Sequence, residues 1–148
     1  MNAEGSERLS EAAGWLAQAE LNLEAVKLCL EAVPSAACFY AQQAADVALK
    51  GVYIAHGLDV SDTHSTSGLI NGLYMRFPDL SKLRTSARTL DAYYIGTRYT
   101  PRGERTHGVA PGKSFTSDDA KEALNVAVTI TEAVKKIYAG LVLDSKNG

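Results

Sequence analysis

Net charge is almost absent from this sequence. Fifteen Lys and Arg against 17 Asp and Glu leave a formal charge of -2, which gives no whole-surface attraction for nucleic acid. Long apolar runs are missing as well. No uninterrupted stretch approaches the roughly 18 residues of a membrane span. Residues 1–15 have no basic segment leading into an apolar run, so no secretion signal is expected. Cysteine is scarce: Cys29 and Cys38 are the only two, and in a chain without a signal they are expected to be reduced, buried small hydrophobes. The sequence has no C-x-x-C pair, no H-E-x-x-H, no G-x-x-x-x-G-K-[ST] loop and no Glu-x-x-His repeat of the di-iron bundles. His56, His64 and His107 lie far apart, without metal-ligand spacing. No metal, no other cofactor and no membrane contact are expected, and the cytoplasm is the expected compartment.

What is present is helical periodicity. The chain has 148 residues, 46% of them hydrophobic, enough for one domain with a sizeable core. Its ordered part is expected over about residues 7–142, ahead of a fraying tail. Leu9, Leu16, Leu23 and Leu30 recur every seven residues, with Ala12, Ala19 and Val26 between them, which sets one apolar stripe on a first helix. Pro34 interrupts the pattern, and Ser35 is the expected cap of the next helix. That second helix carries a stripe of small residues, Ala37, Ala41, Ala44, Ala45 and Ala48, which lets neighbours approach closely and places it mid-bundle. Gly57 suits a left-handed C-cap. After a loop, "LINGLYMRF" reads as a short helix ending before Pro78. Leu80, Leu83, Ala87, Leu90 and Tyr94 predict a third long helix over about 79–95, and Thr116 or Ser117 caps the last, with Asp118 and Asp119 in its first turn. No segment alternates as a half-buried strand does. The expected fold is an all-α, up-and-down bundle of four long helices plus one short helix.

One stretch breaks the period. Between Thr97 and Phe115, Arg98, Arg102, Arg105 and Lys113 face the single acid Glu104, a local charge reversal. Arg binds phosphate bidentately and Tyr stacks on bases, so the stretch is a candidate anion-facing loop; the alternative is a solvated basic connector. Arg102 and His107 fit an Arg-x4-His spacing. In a helix the two would face one phosphate, Arg102 stabilising charge and His107 transferring protons. Pro101, Gly103, Gly108 and Pro111 argue against a regular helix there. A second group, Gln43, Asp46 and Lys50, shares one face of the second helix, either as a ligand site or as a partly exposed ion pair beside an amide.

Together these segments resemble the HEPN family, nucleotide-binding domains of higher eukaryotes and prokaryotes. The resemblance rests on "WLAQAELNLEAV", on "FYAQQAADVALKGVYIAHG" beside the family's Gln-Gln-Ala-x-Glu-x-x-x-Lys, on "THSTSGLI" beside its Thr-His-x-Leu turn, and on "YYIGTRYTP" and "FTSDDAKEAL" beside its Arg-Tyr-Pro segment and acidic last-helix start. It covers about Leu9 to Ile137. It implies a helical bundle that forms homodimers and, in bacteria and archaea, often accompanies a minimal nucleotidyltransferase in toxin–antitoxin-like pairs. Many members are metal-independent ribonucleases with an Arg-x4–6-His motif; others bind nucleotide or RNA without cleaving it. Three departures stand out. Asp46 replaces the usual Glu, Thr100 separates Tyr99 from Pro101, and Gly103 and Val109 stand where nuclease members carry Asn and Tyr. Arg98 and Tyr99 therefore match the family better than Arg102 and His107 do. The expected site is Arg98, Tyr99, Lys50, Gln43 and Asp46 for nucleotide or RNA phosphate. The alternatives are a ribonuclease using Arg102 and His107, and a purely structural dimer.

Overall fold

The computed structural model describes residues 1–60, 62–97 and 107–148, with the backbone alone at 95–96. Among the described residues every regular element is helical. Helix α1 spans Ala3–Cys29, and the Asn2 side chain caps it by accepting from the Gly5 amide at 2.8 Å. Its heptad stripe faces inward as the spacing predicts: Leu9, Ala12, Ala19, Leu23 and Val26 are buried.

Helix α2 spans Pro34–Ala55 and differs from expectation at its start. Pro34 is its first residue rather than an interruption, and the cap is Val33, without a side-chain bond, instead of Ser35. A proline's fixed φ and missing N–H suit the first helical turn. Its alanines at 37, 41, 44, 45 and 48 have no exposed surface at all. They let α1 and α6 (Ser117–Asn147) both pack closely against α2. Beside Gly51 the approach is so close that an added Cβ would sit 3.3 Å from the Trp15 Cβ. Gly57 closes the helix in the left-handed region, at φ 66.

The short helix α3, Thr66–Asn71, begins inside the stretch expected as loop, capped by Ser65 accepting from the Gly68 amide at 3.0 Å. The third long segment is helical but subdivided. A 3-10 turn covers Pro78–Leu83, α4 covers Arg84–Asp91, and a further turn, α5, covers Tyr93–Gly96. Pro78 opens the 3-10 piece, and the Ser81 hydroxyl donates back to the Pro78 carbonyl at 2.7 Å, which tightens this turn. Leu80, Ala87 and Leu90 are nevertheless fully buried, as their spacing predicts. A last 3-10 turn, Pro111–Ser114, leads into α6, which Thr116 and Asp119 start with a reciprocal capping box.

The core gathers around α2, with Leu49, Leu69, Ile70, Leu73, Leu80, Leu90 and Ile130 among its large, inaccessible side chains. Each contributes about 1.5–3 kcal/mol relative to exposure. The Tyr138 hydroxyl donates to the Leu9 carbonyl at 3.1 Å, and a Lys135–Glu20 ion pair adds a second tie between α6 and α1. Both cysteines are free thiols, and burial, followed by the charge of Asp119, pushes the Cys38 thiol up to about 11. No helix is long and apolar enough, among the described residues, to cross a membrane.

Tyr53 spans from α2 to α3, donating to the Leu69 carbonyl at 2.7 Å. A Cβ on Gly72 would clash with its hydroxyl oxygen. Gly72→Ala is therefore expected to lose roughly 1–3 kcal/mol in urea unfolding. Adding Tyr53→Phe should restore part of the loss, because it removes the clashing oxygen, so the two changes should be non-additive.

Candidate functional site

Gln42, Asp46 and Lys50 follow one another at four-residue steps along α2, one above the other on a single face. Gln43 sits at the rim of this row, half-buried, and donates its amide to the Gln42 Oε1 at 2.7 Å. Asp46 and Lys50 are buried, their side chains only 3% and 10% exposed. The partly exposed ion pair considered from the sequence is thus an interior one. His64, from the segment between α2 and α3, stands against the Gln42 and Asp46 part of the row. Gln42 Nε2 donates to the His64 carbonyl at 2.7 Å, which fixes that segment's backbone against α2.

The Asp46 carboxylate sits between two nitrogens. Lys50 Nζ lies 3.1 Å from Oδ1 and 3.2 Å from Oδ2, and His64 Nδ1 lies 3.3 Å from Oδ2. The His64 ring stacks on Tyr94, with centroids 4.4 Å apart and planes 13° from parallel. Its side chain stays 45% exposed while Asp46 behind it is sealed. Ionised groups inside a protein lose several kcal/mol of hydration each, and they persist where partners of good geometry replace the water. Here one carboxylate serves a lysine from below and an imidazole toward solvent.

The His64 segment is anchored a second time just beyond the ring. Asp91 accepts from the hydroxyls of Ser65 at 2.9 Å, Thr66 at 2.7 Å and Ser67 at 2.6 Å, and from the Thr66 and Ser67 amides. Burial alone raises its carboxyl, but the hydrogen bonds from Ser67, Thr66 and Ser65 outweigh it and hold the group below its ordinary 3.8. Asp91 ends α4, so one carboxylate joins the end of that helix to the start of α3.

Of the residues singled out from the sequence, the structure brings together Asp46 and Lys50, with Gln43 at their edge. His107 lies apart from regular helix, exposed in a turn at φ 53 and followed by Gly108 at φ 81. The helical alignment that would turn Arg102 and His107 toward one phosphate is not present at His107. Arg98, Tyr99 and Arg102 lie outside the described residues. His64 and Tyr94 are the members that spacing did not reveal. They stand 18 and 48 positions from Asp46 and meet it only through the fold; the Thr63-His64 dipeptide was the one available signal. His56 has a structural setting, with Nδ1 2.9 Å from the Val52 carbonyl and its ring edge on Phe77. Among the described residues no three His, Cys, Asp or Glu side chains gather as a metal site requires.

The HEPN domain family model matches residues 12–137 of the chain. A solved structure of TT1696 from Thermus thermophilus is 36% identical, covering 84% of this chain and 96% of that one, with a TM-score of 0.74. ST0689, described as an archaeal HEPN homologue, is 29% identical over 86% of this chain and 97% of its own, with a TM-score of 0.70. Among curated proteins none matches.

The Asp91 anchor has a pH signature. A folded carboxyl held below its unfolded value stabilises the fold fully above that value, and the contribution is lost as pH falls through the depressed folded value. Melting temperature should therefore drop as pH goes below about 3.8, partly through Asp91. Asp91→Asn should lower it at neutral pH and flatten the acid slope. A slope unchanged by the substitution would show that the anchor does not carry the effect.

Proposed function

Because this chain belongs to the HEPN domain family, we propose that it binds a nucleotide or the phosphate backbone of RNA on the face formed by α2 and the segment before α3. It does so as a homodimer and as the partner of a minimal nucleotidyltransferase in a two-component, toxin–antitoxin-like system. The observation that carries the binding reading is the buried Asp46–Lys50 pair holding a half-exposed His64 against Tyr94. A core that needed only stability would be served as well by apolar side chains of similar volume. Charges placed there to fix one exposed imidazole serve recognition, since binding groups held in place before the ligand arrives lose less entropy on binding.

In this reading Asp46 and Lys50 act from behind the surface and Gln43 lies at its rim. Arg98 and Tyr99, which follow Thr97 in the chain, supply the phosphate contact and a ring for base stacking. The homodimer has support on α1. Leu21 and Leu28, one heptad apart, are 63% and 82% exposed, an apolar pair suited to a self-complementary contact. The minimal nucleotidyltransferase rests on family resemblance alone.

Calorimetric titration with mononucleotides and short RNAs tests the binding. Saturable heat is expected, weakened roughly tenfold or more by Arg98→Ala, the scale of a lost charge-assisted contact. No heat with any of these ligands would end the proposal.

The ribonuclease alternative, with Arg102 and His107, draws no comparable support from the exposed turn at His107. RNA incubated with the protein and a chelator is expected to show no cleavage that depends on His107. Chelator-resistant cleavage lost in His107→Ala would reverse this and make the protein an enzyme.

A further inference from the structure

We propose that His64 recognises a hydrogen-bond donor of the nucleotide, a ribose hydroxyl or a base amine, by accepting through its Nε2. The inference rests on the nucleotide-binding reading above and names the group on the ligand that this site selects.

The argument begins with Asp46. A carboxylate only accepts hydrogen bonds, so the His64 Nδ1 that lies 3.3 Å from Oδ2 must carry the proton of that contact. In the neutral imidazole the other nitrogen is then the acceptor, and a carboxylate on Nδ1 fixes this tautomer. Lys50 Nζ stands within 3.2 Å of both carboxylate oxygens and meets the Asp46 charge on its own.

Orientation follows from three further contacts. Tyr94 covers one face of the ring at 4.4 Å, Gln42 holds the His64 carbonyl, and Asp91 holds the next three residues. The ring is thus fixed at one edge, one face and its backbone, and what remains open belongs to a side chain that is 45% exposed. An acceptor nitrogen facing a phosphate oxygen is acceptor against acceptor, so phosphate is not what this edge selects. The donors a ribonucleotide offers are its ribose hydroxyls and the exocyclic amines of its bases. A site that hydrogen-bonds a hydroxyl discriminates against the analogue lacking it, because its own polar group is left unpaired.

Three fluorescently labelled oligomers test this by anisotropy at pH 8. They are oligoadenylate RNA, its 2′-fluoro analogue, which keeps the sugar shape and lacks the donor, and oligoinosinate, which lacks the base amine. Wild-type protein should bind oligoadenylate about 2- to 12-fold more tightly than the analogue missing the recognised donor, the range of one hydrogen bond. A deficit only in the fluoro oligomer assigns the ribose hydroxyl; a deficit only in oligoinosinate assigns the base amine; both support the proposal. His64→Phe keeps a ring on Tyr94 without the nitrogen, and should bring oligoadenylate to the level of the weaker analogue. Equal binding of all three by wild type, or a preference surviving in His64→Phe, overturns the inference and leaves nucleotide binding standing. Binding of none of them overturns nucleotide binding itself. The wild-type comparison needs no variant, so a misfolded His64→Phe would not shield the proposal.

Discussion

The close packing of α2 sets the terms for everything around it. Five alanines on this helix have no exposed surface, and Gly51 continues the small surface toward α1. Small side chains bring neighbouring helix axes together, because little stands between the backbones. A helix enclosed by α1 and α6 has little outward surface left. Its buried polar residues are confined to one row, Gln42, Asp46 and Lys50.

That row could not remain bare or simply be buried. Its backbone is helical and satisfied internally, but three polar side chains in succession need partners once neighbours close over them. The segment after Gly57 supplies them. It leaves α2 at the left-handed Gly57, and its His64 delivers a carbonyl to Gln42 and an imidazole to Asp46. Asp91 then fastens the same segment to the end of α4. The enclosure of α2, the cover of its polar row and the placement of His64 are successive consequences of one packing choice.

The helices were legible because each carries its own local signal. The Leu9–Leu30 heptads, the alanine stripe of α2 and the Thr116–Asp119 cap all depend on spacing within one element, and all three appear in the structure. The break near Ala92 was not legible. Its neighbour Asp91 looks like an ordinary helical residue until α3 brings three hydroxyls to it. The candidate site divides in the same way. The i,i+4 relation of Asp46 and Lys50 was readable, but their burial was not, because burial depends on a loop 18 residues away. His64 and Tyr94 carry no mutual spacing that a sequence could display. The Arg–His spacing at 102 and 107 is a local pattern whose partner Arg102 lies outside the described residues, while His107 itself sits in a turn at φ 53.

Asp46 itself shows how one departure from the family pattern becomes geometry. The family pattern that the sequence resembles has Glu at this place, one methylene longer. A shorter side chain keeps its carboxylate nearer the α2 backbone by about one C–C bond, some 1.5 Å. Lys50, one turn along the same helix, reaches the aspartate because its own stem is long and flexible. An imidazole has no such reach. For His64 to meet Asp46 its backbone must come close to α2, and the Gln42–His64 carbonyl bond at 2.7 Å is the contact that brings it there. A longer acid would push the ring outward and lengthen that bond or break it. The aspartate, the adjacent glutamine and the His64 segment are therefore one fitted set, and the short acid is the member that determines how deeply the histidine is seated.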